Sequence, residues 1–153
     1  MPMLKKTIFL VILASLVSLI TLPSIVYGDD WVYVGKVDYF TLYYNSSSLK
    51  IDKQNKTIKV WVKFVYTEKG KIRFLKDYDS IKKQEYIDIN HSLYLYLLDY
   101  KNLKYDITHM TDYSKSGNAL KDNEYPINLV DIIPDSTGDV LINKVIKDYN
   151  IQK

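Results

Sequence analysis

There is no cysteine anywhere in the 153 residues of this chain. That absence excludes disulfides, thiolate metal sites, thiol nucleophiles and redox switching, so the fold must be held by a packed core. Arginine is almost missing as well, with Arg73 alone among 21 basic residues. Bidentate capture of phosphate or carboxylate favours arginine's planar fork, and an arginine-lined anion pocket is therefore not expected. Five glycines in the whole chain leave no glycine-rich loop to cradle a phosphate. Histidine is equally scarce. His91 and His109 sit in different strand-like segments, and Asp88 or Asp106 would have to complete a metal site whose spacing matches no metal motif. Both are expected to be hydrogen-bonded structural or surface residues. No serine stands in a G-x-S-x-G elbow, since Ser46-Ser47-Ser48 belongs to a polar turn. Asp77, Asp79 and Glu85 occupy a charged stretch that reads as solvated surface rather than as a catalytic carboxylate pair. The expectation is a protein with no enzymatic activity, no metal and no cofactor.

What is present begins at the N-terminus. Lys5 and Lys6 precede a run from Thr7 to Leu22 with almost no polar group, then Pro23, then Val26-Tyr27-Gly28 ahead of Asp29-Asp30. A basic start, an apolar middle and small residues near a cut describe a secretory signal peptide over residues 1–28, cleaved near Gly28. The apolar run is about fifteen residues, shorter than the roughly twenty that usually span a bilayer, so cleavage fits better than retention as an anchor. Export, to a secreted or cell-surface location, is thus expected, with contact to a membrane only through an unprocessed N-terminal segment. The remaining residues 29–153 suit one domain. They carry 19 basic and 18 acidic residues, because residues 1–28 contribute two lysines and no acid. A net charge of +1 argues against nucleic acid, or an anionic membrane, as the principal partner.

Strand patterns dominate the domain. Trp31–Val37 and Tyr39–Tyr44 are β-rich, and Asn45-Ser46-Ser47-Ser48 closes the second. The clearest strand is Thr57–Thr67, with Ile58, Val60, Val62, Phe64 and Tyr66 on one face and Lys59, Trp61, Lys63 and Val65 on the other. Each large side chain buried from the first face contributes about 1.5–3 kcal/mol before entropy is subtracted, so a charge at Val62 ranks among the most damaging single changes. Glu68–Lys71 reads as a turn, and residues 72–89 as a short helix or a long loop. Leu93–Tyr100 alternates leucines against Tyr94, Tyr96 and Tyr100, Leu103–Tyr113 pairs with it, and Gly117-Asn118 leads to a short strand near Ala119-Leu120. Ser136 and Asp139 have capping-box spacing, and Leu141, Val145, Ile146 and Tyr149 fall on one helical face. The predicted class is α+β, an antiparallel sheet of about five to six strands with a C-terminal helix packed on one face.

Two surfaces stand out as candidate binding residues: Trp61 between Lys59 and Lys63, and the face of Tyr94, Tyr96 and Tyr100. Aromatics bury large areas at low entropic cost and are favoured at protein interfaces. The competing reading puts Trp61 beneath the C-terminal helix and makes the tyrosines ordinary amphipathic sheet surface. One helix covers one sheet face, while the strands carry large apolar groups on both. Either the sheet curls into a partial barrel or a second copy covers the other face, and a homodimer is the expectation.

Several short stretches resemble the surface-adhesin protein E family of exported bacterial proteins across nearly all of residues 29–153. They are Trp31-Val32-Tyr33-Val34, Ser48-Leu49, Val60-Trp61-Val62-Lys63, Asp112-Tyr113 with Gly117, and Ile133-Pro134-Asp135-Ser136-x-Gly138-Asp139-x-Leu141. The resemblance implies a mostly antiparallel sheet with a C-terminal helix. It also implies surface display and, in the best-known member, adhesion to host extracellular-matrix and plasma proteins, hence a protein partner outside the cell. This chain departs from the family pattern in two respects: it has no lipidation cysteine, and no cysteine pair joining the sheet to the C-terminal segment. The alternative reading is a structural or interaction module of the bacterial envelope with no host ligand.

Overall fold

Strand β4 (Thr57–Tyr66) is the element around which the domain is arranged. Its alternate residues Ile58, Val60, Val62 and Phe64 are buried, as the period-two pattern requires. In the computed structural model, residues 30–76 and 78–152 are described. The expected signal peptide at residues 1–28 and the acid Asp77 lie outside them. Among the described residues no helix is long and apolar enough to cross a membrane.

The other strands are β1 (Trp31–Lys36), β2 (Phe40–Asn45), β3 (Lys50–Asp52), β5 (Ile89–Asp99), β6 (Lys104–Ser114), β7 (Ala119–Glu124) and β8 (Val130–Asp131). Three helices accompany them: α1 (Glu68–Leu75), α2 (Ser80–Glu85) and α3 (Thr137–Asp148). The main sheet runs β1-β2-β4-β5-β6-β7, with β3 beside β4 and β8 beside β6, and every pairing is antiparallel. The chain is therefore α+β, as its periodicity predicts.

Two hairpin turns share one chemistry. In each, an aspartate carboxylate accepts the backbone N–H groups two and three residues on and the side-chain amide of an asparagine. Asp52 does so for Gln54, Asn55 and the Asn55 side chain, and Asp99 for Lys101, Asn102 and the Asn102 side chain. The residue after each asparagine is left-handed, Lys56 at φ 58° and Leu103 at φ 54°. Tyr100 donates its backbone N–H to the Lys56 carbonyl at 3.0 Å, tying the two turns together.

Helix α3 starts as its capping spacing foretells. The Ser136 hydroxyl accepts the Asp139 backbone N–H at 3.3 Å, and the Asp139 carboxylate reaches back to the N–H of Asp135 at 3.1 Å. Leu141, Ile142 and Val145 of α3 are fully buried against Ile58, Val60, Val62, Leu98, Tyr44, Tyr96 and Tyr100. At the end of the helix the Tyr44 hydroxyl donates to Asp148 at 2.8 Å. All of these core contacts close within the described residues.

One sequence expectation needs correction, and one open alternative is decided. Glu68–Lys71 is no turn but the first turn of α1, because the Thr67 hydroxyl caps it by accepting the Gly70 N–H at 3.1 Å. Residues 72–89 hold the rest of α1 and then α2, the latter capped by Asp79 accepting the Lys82 N–H at 2.8 Å. Phe74 of α1 packs on Tyr66 and Tyr86, and Tyr78 stacks on Tyr86, so α1 and α2 cover the same face of the sheet as α3, at its other end.

Gly70 shows how closely α1 is seated, since a Cβ there would lie 1.8 Å from the Tyr39 carbonyl oxygen. Gly70→Ala must push the helix off the β1–β2 turn, at a cost of about 1–3 kcal/mol. A chemical-denaturation midpoint equal to wild type would show that α1 does not depend on this contact.

Candidate functional site

The face of the sheet away from the helices is assembled by register. One cross-strand row runs Tyr33, Tyr43, Lys63, Leu93, Thr111, Asp122, and the next runs Trp61, Leu95, His109, Glu124. Lys59 pairs with Leu97, and Val65 with His91 and then Tyr113. No helix among the described residues lies over this face. Most of it is half-buried, with Tyr33, Lys59, Asp122 and Glu124 exposed.

A β-bulge decides which residues of β6 join it. Leu98 pairs with Tyr105 and Tyr96 with Ile107 on the covered side, but the register slips between Leu95 and Tyr96, leaving Thr108 as the extra residue. Its hydroxyl donates to the Leu95 carbonyl at 3.3 Å. Beyond the bulge the parity is reversed, so His109, Thr111 and Tyr113 face outward.

Aromatic and charged contacts fix the open face in detail. The Lys63 ammonium lies 4.0 Å from the centre of the Trp31 ring and 5.9 Å from that of Tyr43, and Tyr33 meets Tyr43 edge-on. Trp61 packs edge-on against His109 at 5.4 Å. His109 is held by two acids of β7, with Nε2 2.6 Å from Asp122 and Nδ1 3.6 Å from Glu124. Those acids sit off opposite ring nitrogens and do not converge on one point, and no cluster of three or more metal-ligating side chains occurs among the described residues. The face therefore has lysines along β4, a leucine and tryptophan centre, and acids along β7.

This arrangement divides the sequence-derived candidates. Lys59, Trp61 and Lys63 are together on the open face. Tyr94, Tyr96 and Tyr100 are on the other: Tyr96 is 4% and Tyr100 1% exposed, both in the core beneath α3, and Tyr94 is half-buried against Phe64. The tyrosines are thus not surface, and Trp61 does not lie beneath α3. The register supplies the physical reason, because Val62 pairs with Tyr94 and Val60 with Tyr96, whereas Trp61 pairs with Leu95. Burial pushes the Tyr96 hydroxyl far above its ordinary range. Leu93, Leu95 and Leu97 take the outward places that the sequence reading gave to the tyrosines. Asp122 and Glu124 were overlooked because β7 runs four residues beyond Leu120.

The covered side holds one buried acid. Asp112 is 1% exposed and accepts a short hydrogen bond from Ser92, whose hydroxyl also meets the Tyr66 hydroxyl at 2.9 Å. Burial raises the Asp112 carboxyl above the usual carboxylate range, opposed by the Ser92 hydrogen bond and by Lys121. The buried Asn123 amide nitrogen has no hydrogen-bond partner among the described residues. Ser92 is itself fully buried, between the Tyr66 hydroxyl and the Asp112 carboxylate. A separate groove of about 470 Å³ is lined by Ile51, Lys56, Tyr100, Tyr149 and Ile151 among others, and by neither histidine.

Taken together, the fold is a half-covered antiparallel sheet that presents one broad open face with an apolar centre and charged edges. Residues 31–145 match the family model described as surface-adhesin protein E, and the chain belongs to that family. No curated protein matches it. Membership supports a surface-adhesin-like protein with an extracellular partner.

Two groups give the domain opposite pH responses. His91 is stacked on Tyr113 at 4.9 Å, and its pKa is lowered by burial and then by Lys63. A depressed base contributes stability that is complete above its unfolded value near 6.5 and lost as pH falls through the folded value. Asp112 has a raised pKa, so its penalty is absent below the unfolded value near 4 and grows as pH rises through the folded one. Asp112→Asn should therefore raise the denaturation midpoint relative to wild type at pH 7 and not at pH 4. An equal difference at both values would refute the assignment.

Proposed function

We propose that this chain is an exported, non-enzymatic binding protein that attaches to a protein partner outside the cell, a host matrix or plasma protein. Contact runs through the open face around Trp61, Leu93, Leu95 and Leu97, with Lys59 and Lys63 at its basic side. One observation carries the reading: a wide apolar sheet face with half-buried Trp61 at its centre has no cover among the described residues. An uncovered, half-buried tryptophan and leucine cluster of this kind offers apolar area that a partner can bury. Family membership supports the same class of role. The N-terminal sequence pattern supports export and cleavage near Gly28, leaving residues 29–153 as the mature domain.

A second reading has its own support, because the face is electrostatically self-complementary. A two-fold axis between β5 and β6 places β4 of one copy over β7 of the other. Lys59 and Lys63 then meet Asp122 and Glu124, and the leucine rows meet each other. On this reading the chain is a homodimer, and an envelope partner or host ligand binds elsewhere.

Purified residues 29–153 separate the two. Binding to an immobilised panel of host matrix and plasma proteins below roughly 10 µM, weakened about tenfold or more by Trp61→Ala as expected of a central aromatic, supports the adhesin reading. A light-scattering mass twice that of the monomer, reduced to the monomer value by Leu95→Glu, supports the homodimer. A monomer that binds nothing on the panel refutes both and leaves the envelope-module role.

A further inference from the structure

We propose that the outer surface of α1 and α2 docks the domain onto an anionic lipid surface. The mature net charge of +1 hides a separation of charge. Residues 67–87 carry six basic and four acidic residues, whereas the rest of 29–153 carries 13 basic and 14 acidic. The same segment contains three isoleucines that stand in water: Ile72 is 72%, Ile81 73% and Ile87 59% exposed. Ile72 on α1, Ile81 on α2 and Ile87 just past the end of α2 are too exposed to have a role in the core.

The packing fixes which side of these helices looks outward. Gly70 is pressed on the Tyr39 carbonyl, and Phe74 and Tyr78 face the aromatic layer of Tyr66 and Tyr86. Lys69, Ile72, Arg73 and Lys76 are left to line an open groove with Tyr39, whose ring lies 4.5 Å beneath the Arg73 guanidinium. Two acids of the segment are already engaged, Glu68 by the Lys71 ammonium at 2.8 Å and Asp79 by the backbone N–H that it caps. Asp38 holds Lys69 at 3.4 Å. Among the described residues Lys76, Lys82 and Lys83 form no ion pair. Lys82 lies 5.9 Å from the Tyr78 ring.

The composition favours lipid over an acidic protein. Anchors at protein interfaces are typically tryptophan, tyrosine and arginine seated in pockets. Here the outermost groups are isoleucines flanked mainly by lysines, whose flexible stems lie along apolar surface while the ammonium reaches lipid phosphate. Attraction of this kind adds per cation near the membrane and is screened by salt. It would hold an exported domain against a lipid surface while the opposite sheet face stays free.

The test is co-sedimentation of residues 29–153, whose core closes on itself, with lipid vesicles. One set is phosphatidylcholine alone, and the other contains about one third phosphatidylglycerol. The expected result is partition onto the anionic vesicles only, released in about 0.5 M salt. Lys76→Glu/Lys82→Glu should weaken partition roughly tenfold or more, and Ile72→Asp/Ile81→Asp should abolish it, with unchanged thermal unfolding. Trp61→Ala should bind as wild type does. Equal binding to both vesicle sets, no binding, or lysine and isoleucine variants that partition like wild type would overturn the proposal. Capture by soluble polyglutamate with vesicles refused would assign the patch to an acidic protein and overturn it as well.

Discussion

The antiparallel ladder between β4 and β5 is the constraint on which the rest of the domain depends. Nine residue pairs run from Thr57–Asp99 to Val65–His91. Because side chains alternate with period two, that register alone decides which side of each strand faces which layer. Val60 and Val62 go to the same side as Tyr96 and Tyr94, and Trp61 and Lys63 go with Leu95 and Leu93. A slip by one residue would exchange the two sets. It would offer tyrosines to solvent and strip α3 of the flat apolar floor on which Leu141, Ile142 and Val145 sit.

A chain with no cysteine must hold its C-terminal helix to the sheet by packing. The covered face does this at two ends. At one, α3 is fixed by its buried aliphatic stripe, by the serine cap and by the Tyr44–Asp148 hydrogen bond. At the other, α1 and α2 are fixed by an aromatic layer in which Phe74 touches Tyr66, Tyr78 and Tyr86. Tyrosine suits both places, since its ring packs like a hydrocarbon while its hydroxyl reaches a polar partner at the rim. The high tyrosine content is in this way partly a structural answer to the missing disulfide. Both covers lie on one side, which is why the other side is left as a broad face.

Much of this was legible in the sequence, and the illegible parts share one cause. The alternation of β4, the strands on either side and the serine-capped final helix all follow from patterns local to a few residues. Thr67 was also a readable cap, but Glu68-Lys69-Gly70-Lys71 resembles a turn when the seat of Gly70 on the Tyr39 carbonyl is out of view. The side taken by Tyr94, Tyr96 and Tyr100 depends on a neighbouring strand, and no property of β5 alone distinguishes its tyrosines from its leucines as core. The bulge at Thr108 is likewise invisible in β6, whose simple alternation would put Tyr105, Ile107 and His109 on one face. His109 was therefore separated from Asp122 and Glu124, its actual partners.

The residues that carry the family resemblance divide according to the same two faces. Val60, Val62, Gly138 and Leu141 are buried, and Ser136 and Asp139 make the helix cap, so these account for architecture. Trp31, Trp61 and Lys63 have no such duty, for they stand on the open side, where the Trp31 ring holds the Lys63 ammonium at 4.0 Å. An aromatic–cation pair on an uncovered sheet stiffens long side chains into a fixed surface before any partner arrives, which lowers the ordering cost of association. Fold alone does not specify function, and the outward half of the Val60-Trp61-Val62-Lys63 motif is the part that core packing does not account for.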